Sequence, residues 1–178
     1  MVNDFRNNDH STRTGRSVTL VAHDEAGHRC ASSHVTGPLA SVHRDRLGVE
    51  LSGPKVIKGY RLEPFAQCAG ALLDHARLNA ANLYSIDLRG ASLREAQLAG
   101  AHIAEARLSG VDLTGANLTG ANLSGADLSR SNLTGADLSG ANLRRANLSG
   151  ARMGGAVLVG ARYCKTVMPD LRMNDQHC

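Results

Sequence analysis

From Ala66 to Asp170 the chain keeps a five-residue period without a single insertion. The stretch 113–133, LTGANLTGANLSGADLSRSNL, shows the unit most plainly. Each unit is a small residue, a polar residue, a central apolar residue and two more. The first place is Ala except at Ile86, Val111, Ser131 and Thr166, and the centre is Leu except at Cys68, Ile103, Met153, Tyr163 and Met168. The second place is mostly Asn, Asp, Arg, Gln or Ser, and the fifth is often Gly. On an α-helix, residues five apart differ by about 140°, so the leucines would leave no apolar stripe. A straight strand alternates faces with period two, so odd spacing would throw successive leucines to opposite sides. The small residue and the centre, two apart, do share one side of a local extended segment. To keep every such pair inside, the chain has to turn once per unit, and Gly, Asn, Asp and Ser near the unit boundaries suit such turns.

A(N/D)LxG repeated in unbroken register resembles the pentapeptide-repeat family, over residues 66–170. The resemblance implies an all-β fold, a right-handed four-sided (quadrilateral) β-helix solenoid in which each unit forms one side. Twenty residues then make a coil, and 66–170 make about five coils, a rod about 25 Å long at one strand spacing per coil. The ends are also similar to the family. YRLEPFAQC (60–68) is similar to a lead-in Y-x-I-x-P-G-A-N-L, differing at Phe65 and Cys68. YCKTVMPDLRMNDQHC (163–178) is similar to a terminus F-C-x-T-x-M-P-D-G, differing at Tyr163 and Leu171. Pro169 cannot donate to a ladder, which makes it a sensible place for the coils to stop.

The organisation expected is therefore an N-terminal arm over 1–59, partly disordered, a solenoid over 66–170 and a tail over 171–178. A capping segment is placed near 54–65, because the first coil of a solenoid is a raw edge. SVTLVA (17–22) and PKVIKGYRL (54–62) are candidate strands, and Val56, Ile57, Tyr60 and Phe65 the apolar candidates for the cap. The core column expected is Leu78, Leu83, Leu88, Leu93, Leu98, Ile103, Leu108, Leu113, Leu118, Leu123, Leu128, Leu133, Leu138, Leu143, Leu148, Met153, Leu158 and Tyr163. Positions twenty apart should stack. Asp87, Arg107 and Asp127 would alternate in sign up one exposed face, and Asn122 and Asn142 would form a short amide ladder.

Little in the chain reads as catalysis. HDEAGH (23–28) differs from the zinc-peptidase pattern H-E-x-x-H, because its histidines are five apart rather than four. His10, His23, His28, His34 and His43 cluster loosely in the arm and read as solvated polar residues. No phosphate loop, nucleophile elbow or dinucleotide fingerprint is present, so no catalytic residue, cofactor or metal is assigned. No run of 18 or more apolar residues exists, so no membrane contact is expected. The N-terminus lacks a continuous apolar stretch, which makes the cytoplasm the default compartment and Cys30, Cys68, Cys164 and Cys178 free thiols by default. The family-like terminus nevertheless implies a tail folded back over the final coil, where Cys164 and Cys178 could pair.

The formal net charge is +4, and residues 66–178 contribute eleven Lys/Arg against nine Asp/Glu, or +2. On the geometry the resemblance implies, units 141–145 and 161–165 share a side and bring Arg144, Arg145, Arg162 and Lys165 into a basic corner with no acid among them. The function expected is a non-catalytic scaffold or protein–protein interaction module, bacterial by family resemblance, with an unknown protein partner and an end-to-end homodimer as an option. Members of the family that mimic DNA and shield a type II topoisomerase use an acidic rod, which this chain does not have. The four cations could instead bind nucleic acid weakly, but they lack interleaved aromatics, so nucleic acid is not the expected partner.

Overall fold

A computed structural model describes residues 20–23, 29–32, 55–57 and 59–178, with side chains described at Cys30, Ile57 and 59–178. The second position of each unit pairs in parallel with the residue twenty further on, from Gln67↔Asp87 to Asn147↔Val167. Four units therefore return the chain to the same side, one strand spacing higher. At Leu118 the pattern is typical. Its N–H donates upward to Asp137 O at 2.7 Å, while the Asn117 N–H donates downward to Ala96 O at 3.0 Å. The corner closes when the Ala121 N–H donates to Leu118 O at 3.0 Å.

The fifth position takes the left-handed backbone that each corner requires, as at Gly120 (φ 63) and Gly125 (φ 68). That conformation costs an L-residue roughly 1–2 kcal/mol and glycine nothing comparable. Arg130 (φ 56), Arg145 (φ 60) and Lys165 (φ 53) hold it all the same.

Inside the corners, Ala allows the backbone to close and Leu fills the axis. Every centre from Leu78 to Leu148 is at most 3 % exposed. The space left between Leu83, Leu98, Leu118 and their neighbours is a void of about 10 Å³ with wholly apolar walls. A void of that size and lining stays dry. Met153 and Leu158 depart from the expected column, being only partly buried. They lie in the last coil, where the units on their sides have nothing stacked above them.

Among the described residues, three two-stranded antiparallel pairs flank the coils. β1 (Leu20–His23) pairs with β2 (Arg29–Ser32), β3 (Lys55–Ile57) with β4 (Tyr60–Leu62), and β5 (Thr166–Val167) with β6 (Met173–Asn174). The segment 54–62, expected as one strand, breaks at Gly59 (φ 81) into β3 and β4. Tyr60 and Leu62 are buried in the same apolar cluster as the leucines, and Ile57 packs against it. Phe65 does not join them. It occupies a left-handed corner (φ 65), points outward and meets Tyr84 edge-on at 5.5 Å. The Val56 side chain, residues 17–19 and Asp24 to His28 of the HDEAGH motif lie outside the described residues.

The expectation of free thiols gives way. Cys30 of β2 is bonded to Cys68, the centre of the first unit, with Cα atoms 4.4 Å apart, and both side chains are buried. Cys164 is bonded to Cys178 across a Cα separation of 4.8 Å. Sequence proximity gives no hint of the first pair, whose members lie 38 residues apart.

Candidate functional site

The basic corner is built by two stacked units. Leu143 N–H donates to Arg162 O at 2.9 Å, and Arg145 N–H donates to Cys164 O at 2.8 Å. This ladder fixes unit 161–165 directly above unit 141–145. The second, fourth and fifth positions of a unit face outward, so Arg144, Arg145, Arg162 and Lys165 all reach solvent on one face. Below them, Asn142 Nδ2 donates to Asn122 Oδ1 at 3.1 Å, the amide ladder expected from a spacing of twenty.

Residues 171–178 fold back over this side and act in place of a further coil. β6 lies along β5. The Tyr163 N–H, which would otherwise point at a coil above, donates to His177 Nδ1 at 3.2 Å, and the His177 N–H returns a bond to Tyr163 O at 3.0 Å. The two rings stack with centroids 6.0 Å apart. Burial beneath this segment pushes the Tyr163 phenol up from its ordinary pKa. Lys165 N–H donates to Asp175 Oδ1 at 2.7 Å, and Arg144 Nη2 donates to His177 O at 3.0 Å.

The result is an open cavity of about 370 Å³ between the coil face and the folded-back segment. Its walls include Glu105, Gly125, Arg144, Arg145, His177 and the Cys164–Cys178 disulfide. Two acids from outside units 141–145 and 161–165 border this corner. Glu105 stands two coils below Arg145 and leans over Gly125, where an added Cβ would collide with its carboxylate. Asp175 arrives with the folded-back segment. Counting in steps of twenty from Arg145 would have found Gly125 and then Glu105. No such count reaches Asp175.

A second charged cluster lies near the other end. Asp87, expected on an exposed face, is 1 % exposed. Arg89 covers it, with Nη2 at 2.7 Å and Nε at 2.9 Å from its oxygens, and Arg107 Nη1 stands at 4.0 Å. Burial alone would raise the Asp87 pKa. The Arg89 hydrogen bonds and the two guanidinium charges outweigh it and hold the carboxyl below its ordinary value. Both Asp87 oxygens are thus hydrogen-bonded by Arg89, which suits a clamp rather than a reaction. Among the described residues, no three His, Cys, Asp or Glu side chains stand together as a metal site. No described helix is long and apolar enough to cross a membrane.

Three overlapping stretches, 66–103, 91–130 and 126–162, match the model of pentapeptide repeats, which together span more than half of the chain. The chain belongs to the pentapeptide-repeat family. Pentapeptide-repeat relatives carry the right-handed four-sided β-helix, in keeping with the twenty-residue ladder. The chain is similar to Rfr23, a pentapeptide repeat protein of the cyanobacterium Cyanothece 51142. The two are 32 % identical over 57 % of this chain and 90 % of that one, with a TM-score of 0.53. It is also similar to alr5209, a pentapeptide repeat protein of Nostoc, at 39 % identity over 52 % of this chain and 77 % of that one, TM-score 0.46. QnrB1, a plasmid-mediated fluoroquinolone resistance protein, is 28 % identical over 57 % of this chain and 47 % of that one, TM-score 0.29. No curated protein matches the chain. Pentapeptide-repeat proteins are typically structural, and the family hosts more than one role, so the role of this one has to be argued from its own surface.

Proposed function

We propose that the chain is a non-catalytic scaffold whose basic face, Arg144, Arg145, Arg162 and Lys165, binds an acidic surface of a partner protein. The observation that carries this reading is the set of four exposed cations on two units locked together by the backbone ladder. A face that is rigid before binding loses little entropy when it docks. The rod we infer has about five coils, supported by five successive steps of twenty from Gln67 to Val167. The buried Tyr60 and Leu62 support a cap formed by β3 and β4 over its first coil.

A labelled polyglutamate peptide should bind saturably, followed by fluorescence anisotropy, and Arg144→Glu/Arg145→Glu should abolish that binding. A duplex DNA of equal charge should bind no more tightly at the same salt. Preference for the duplex, with a steep salt dependence, would replace the protein partner with nucleic acid. Failure to bind either would remove the basic face as the functional surface.

A second reading, end-to-end pairing of two copies, is favoured by the exposed apolar side chains at the C-terminal end: Val159 (75 %), Leu171 (74 %) and Met173 (61 %). Sedimentation should then show a dimer that Val159→Glu/Leu171→Glu converts to monomer.

A further inference from the structure

The two disulfides differ in a property on which exchange depends, the access of a nucleophile to a sulfur. Cys30 and Cys68 are 8 % and 0 % exposed, sealed within the apolar cluster. Cys164 and Cys178 form part of the wall of the open cavity, and Cys178 is exposed. The cavity that leads to this second disulfide is lined on its coil side by Arg144 and Arg145, and Lys165 follows Cys164 in the chain. Glu105 is the one acid in its lining. Asp175 Oδ1, which accepts from the Lys165 N–H, also stands 3.6 Å from Cys178 Sγ, and the arginines have to outweigh both carboxylates for an anion to reach that sulfur.

We propose that the Cys164–Cys178 disulfide is a thiol-exchange site for a small anionic thiol of the glutathione type, guided to it by Arg144 and Arg145. The incoming thiolate attacks the exposed Cys178 sulfur and forms a mixed disulfide there. The Cys164–Cys178 bond breaks, and its electron pair leaves on Cys164 as a thiolate. Nearby cations stabilise that thiolate and so make Cys164 the better leaving group. A second thiolate then attacks the mixed disulfide at the sulfur of the bound thiol. This releases the oxidised small thiol and leaves Cys178 reduced, so that two thiols are oxidised for each protein disulfide reduced.

The consequence for the fold is local. Residues 171–178 are held over Tyr163 by the disulfide and a few hydrogen bonds from His177, Asp175 and β6. Opening the bond removes the covalent closure of a 14-residue separation and lets this segment lift from the coil face. The Cys30–Cys68 bond stays closed, so the rod persists. The reverse exchange re-forms the bond with the oxidised small thiol as oxidant. The Cys178 thiolate attacks it and releases one reduced thiol, and the Cys164 thiolate then attacks Cys178 and releases the other, as in the transient disulfides found where thiols are otherwise kept reduced. The inference does not depend on any partner of the basic face.

The test treats the oxidised full chain with glutathione and, separately, with the uncharged thiol 2-mercaptoethanol, and follows each disulfide by peptide mass spectrometry. Glutathione should open Cys164–Cys178 before Cys30–Cys68 and leave a mixed-disulfide adduct on Cys178. Arg144→Ala/Arg145→Ala should slow the glutathione reaction roughly fivefold, as should raised salt, while leaving the 2-mercaptoethanol rate within about twofold. Both substitutions are at exposed positions, and an unchanged melting temperature of the oxidised variant checks that the fold is kept. Equal slowing for both thiols, no effect of the arginines, an adduct confined to Cys164, or earlier opening of Cys30–Cys68 would each overturn the proposal.

Discussion

Leu118 offers the sharpest quantitative test of how the rod is held together. Its side chain is fully buried, with Leu98 one coil below and Leu138 one coil above, each at most 2 % exposed. Leu118→Ala removes three carbons, a transfer loss of about 2.4 kcal/mol at ~0.8 kcal/mol per carbon. The ladder on both sides holds the backbone, so the site cannot collapse, and the cavity left behind adds about 1–2 kcal/mol. The total is about 4 kcal/mol, towards the upper end of the range for buried leucines. Leu158 occupies the same place in the unit but lies in the last coil and is only partly buried. With an open side there is little cavity to create, and Leu158→Ala should cost about 1 kcal/mol. Urea denaturation followed by far-ultraviolet circular dichroism, with disulfides intact, measures both. Losses that agree within about 0.5 kcal/mol would refute the claim that stacking from coil to coil carries the stability.

Three further outcomes follow from single positions. Ser131 Oγ is buried without a hydrogen-bond partner at a place where most units have Ala, so Ser131→Ala should raise stability by about 1 kcal/mol in the same urea titration. Arg130→Gly should also stabilise, by about 0.5 kcal/mol, because relief of the left-handed strain exceeds the added freedom of the unfolded chain. The pKa of Asp87 is lowered by folding, so its contribution is present above the unfolded carboxyl value of about 3.9 and is lost as pH falls through the lower folded value. Melting temperature should therefore fall less between neutral and acid pH in Asp87→Asn than in the native chain.

Much of this molecule could be read before its coordinates. Ala and Leu two apart, in an unbroken period of five, leave few folds open, and residues twenty apart do stack as the period demands, down to the Asn122–Asn142 amide pair. What escaped the reading depends on contacts that no period encodes. Cys30 meets Cys68 only because β1 and β2, which lie outside the repeat, reach the first coil. Asp87 is buried because Arg89, two residues along the same unit, folds back over it rather than because of its place in the column. Phe65 turns outward because the corner at its position fixes the backbone, an effect stronger than its hydrophobicity. The cations of the basic corner were legible from their positions alone, since each lies at an outward place of a numbered unit. Of the acids beside it, Glu105 was open to the same count, whereas Asp175 was not, because it is brought in by a segment without a period.

The central claim is that the chain works by binding, through the face formed by units 141–145 and 161–165. A photo-activatable cross-linking residue placed at Arg162, on that face, and in a separate protein at Arg94, exposed on an earlier coil, tests it directly in cells of the source organism. The account predicts a discrete protein adduct from position 162, lost when Arg144→Glu/Arg145→Glu is added, and none from position 94. The same adduct from position 94, with none from 162, would contradict it.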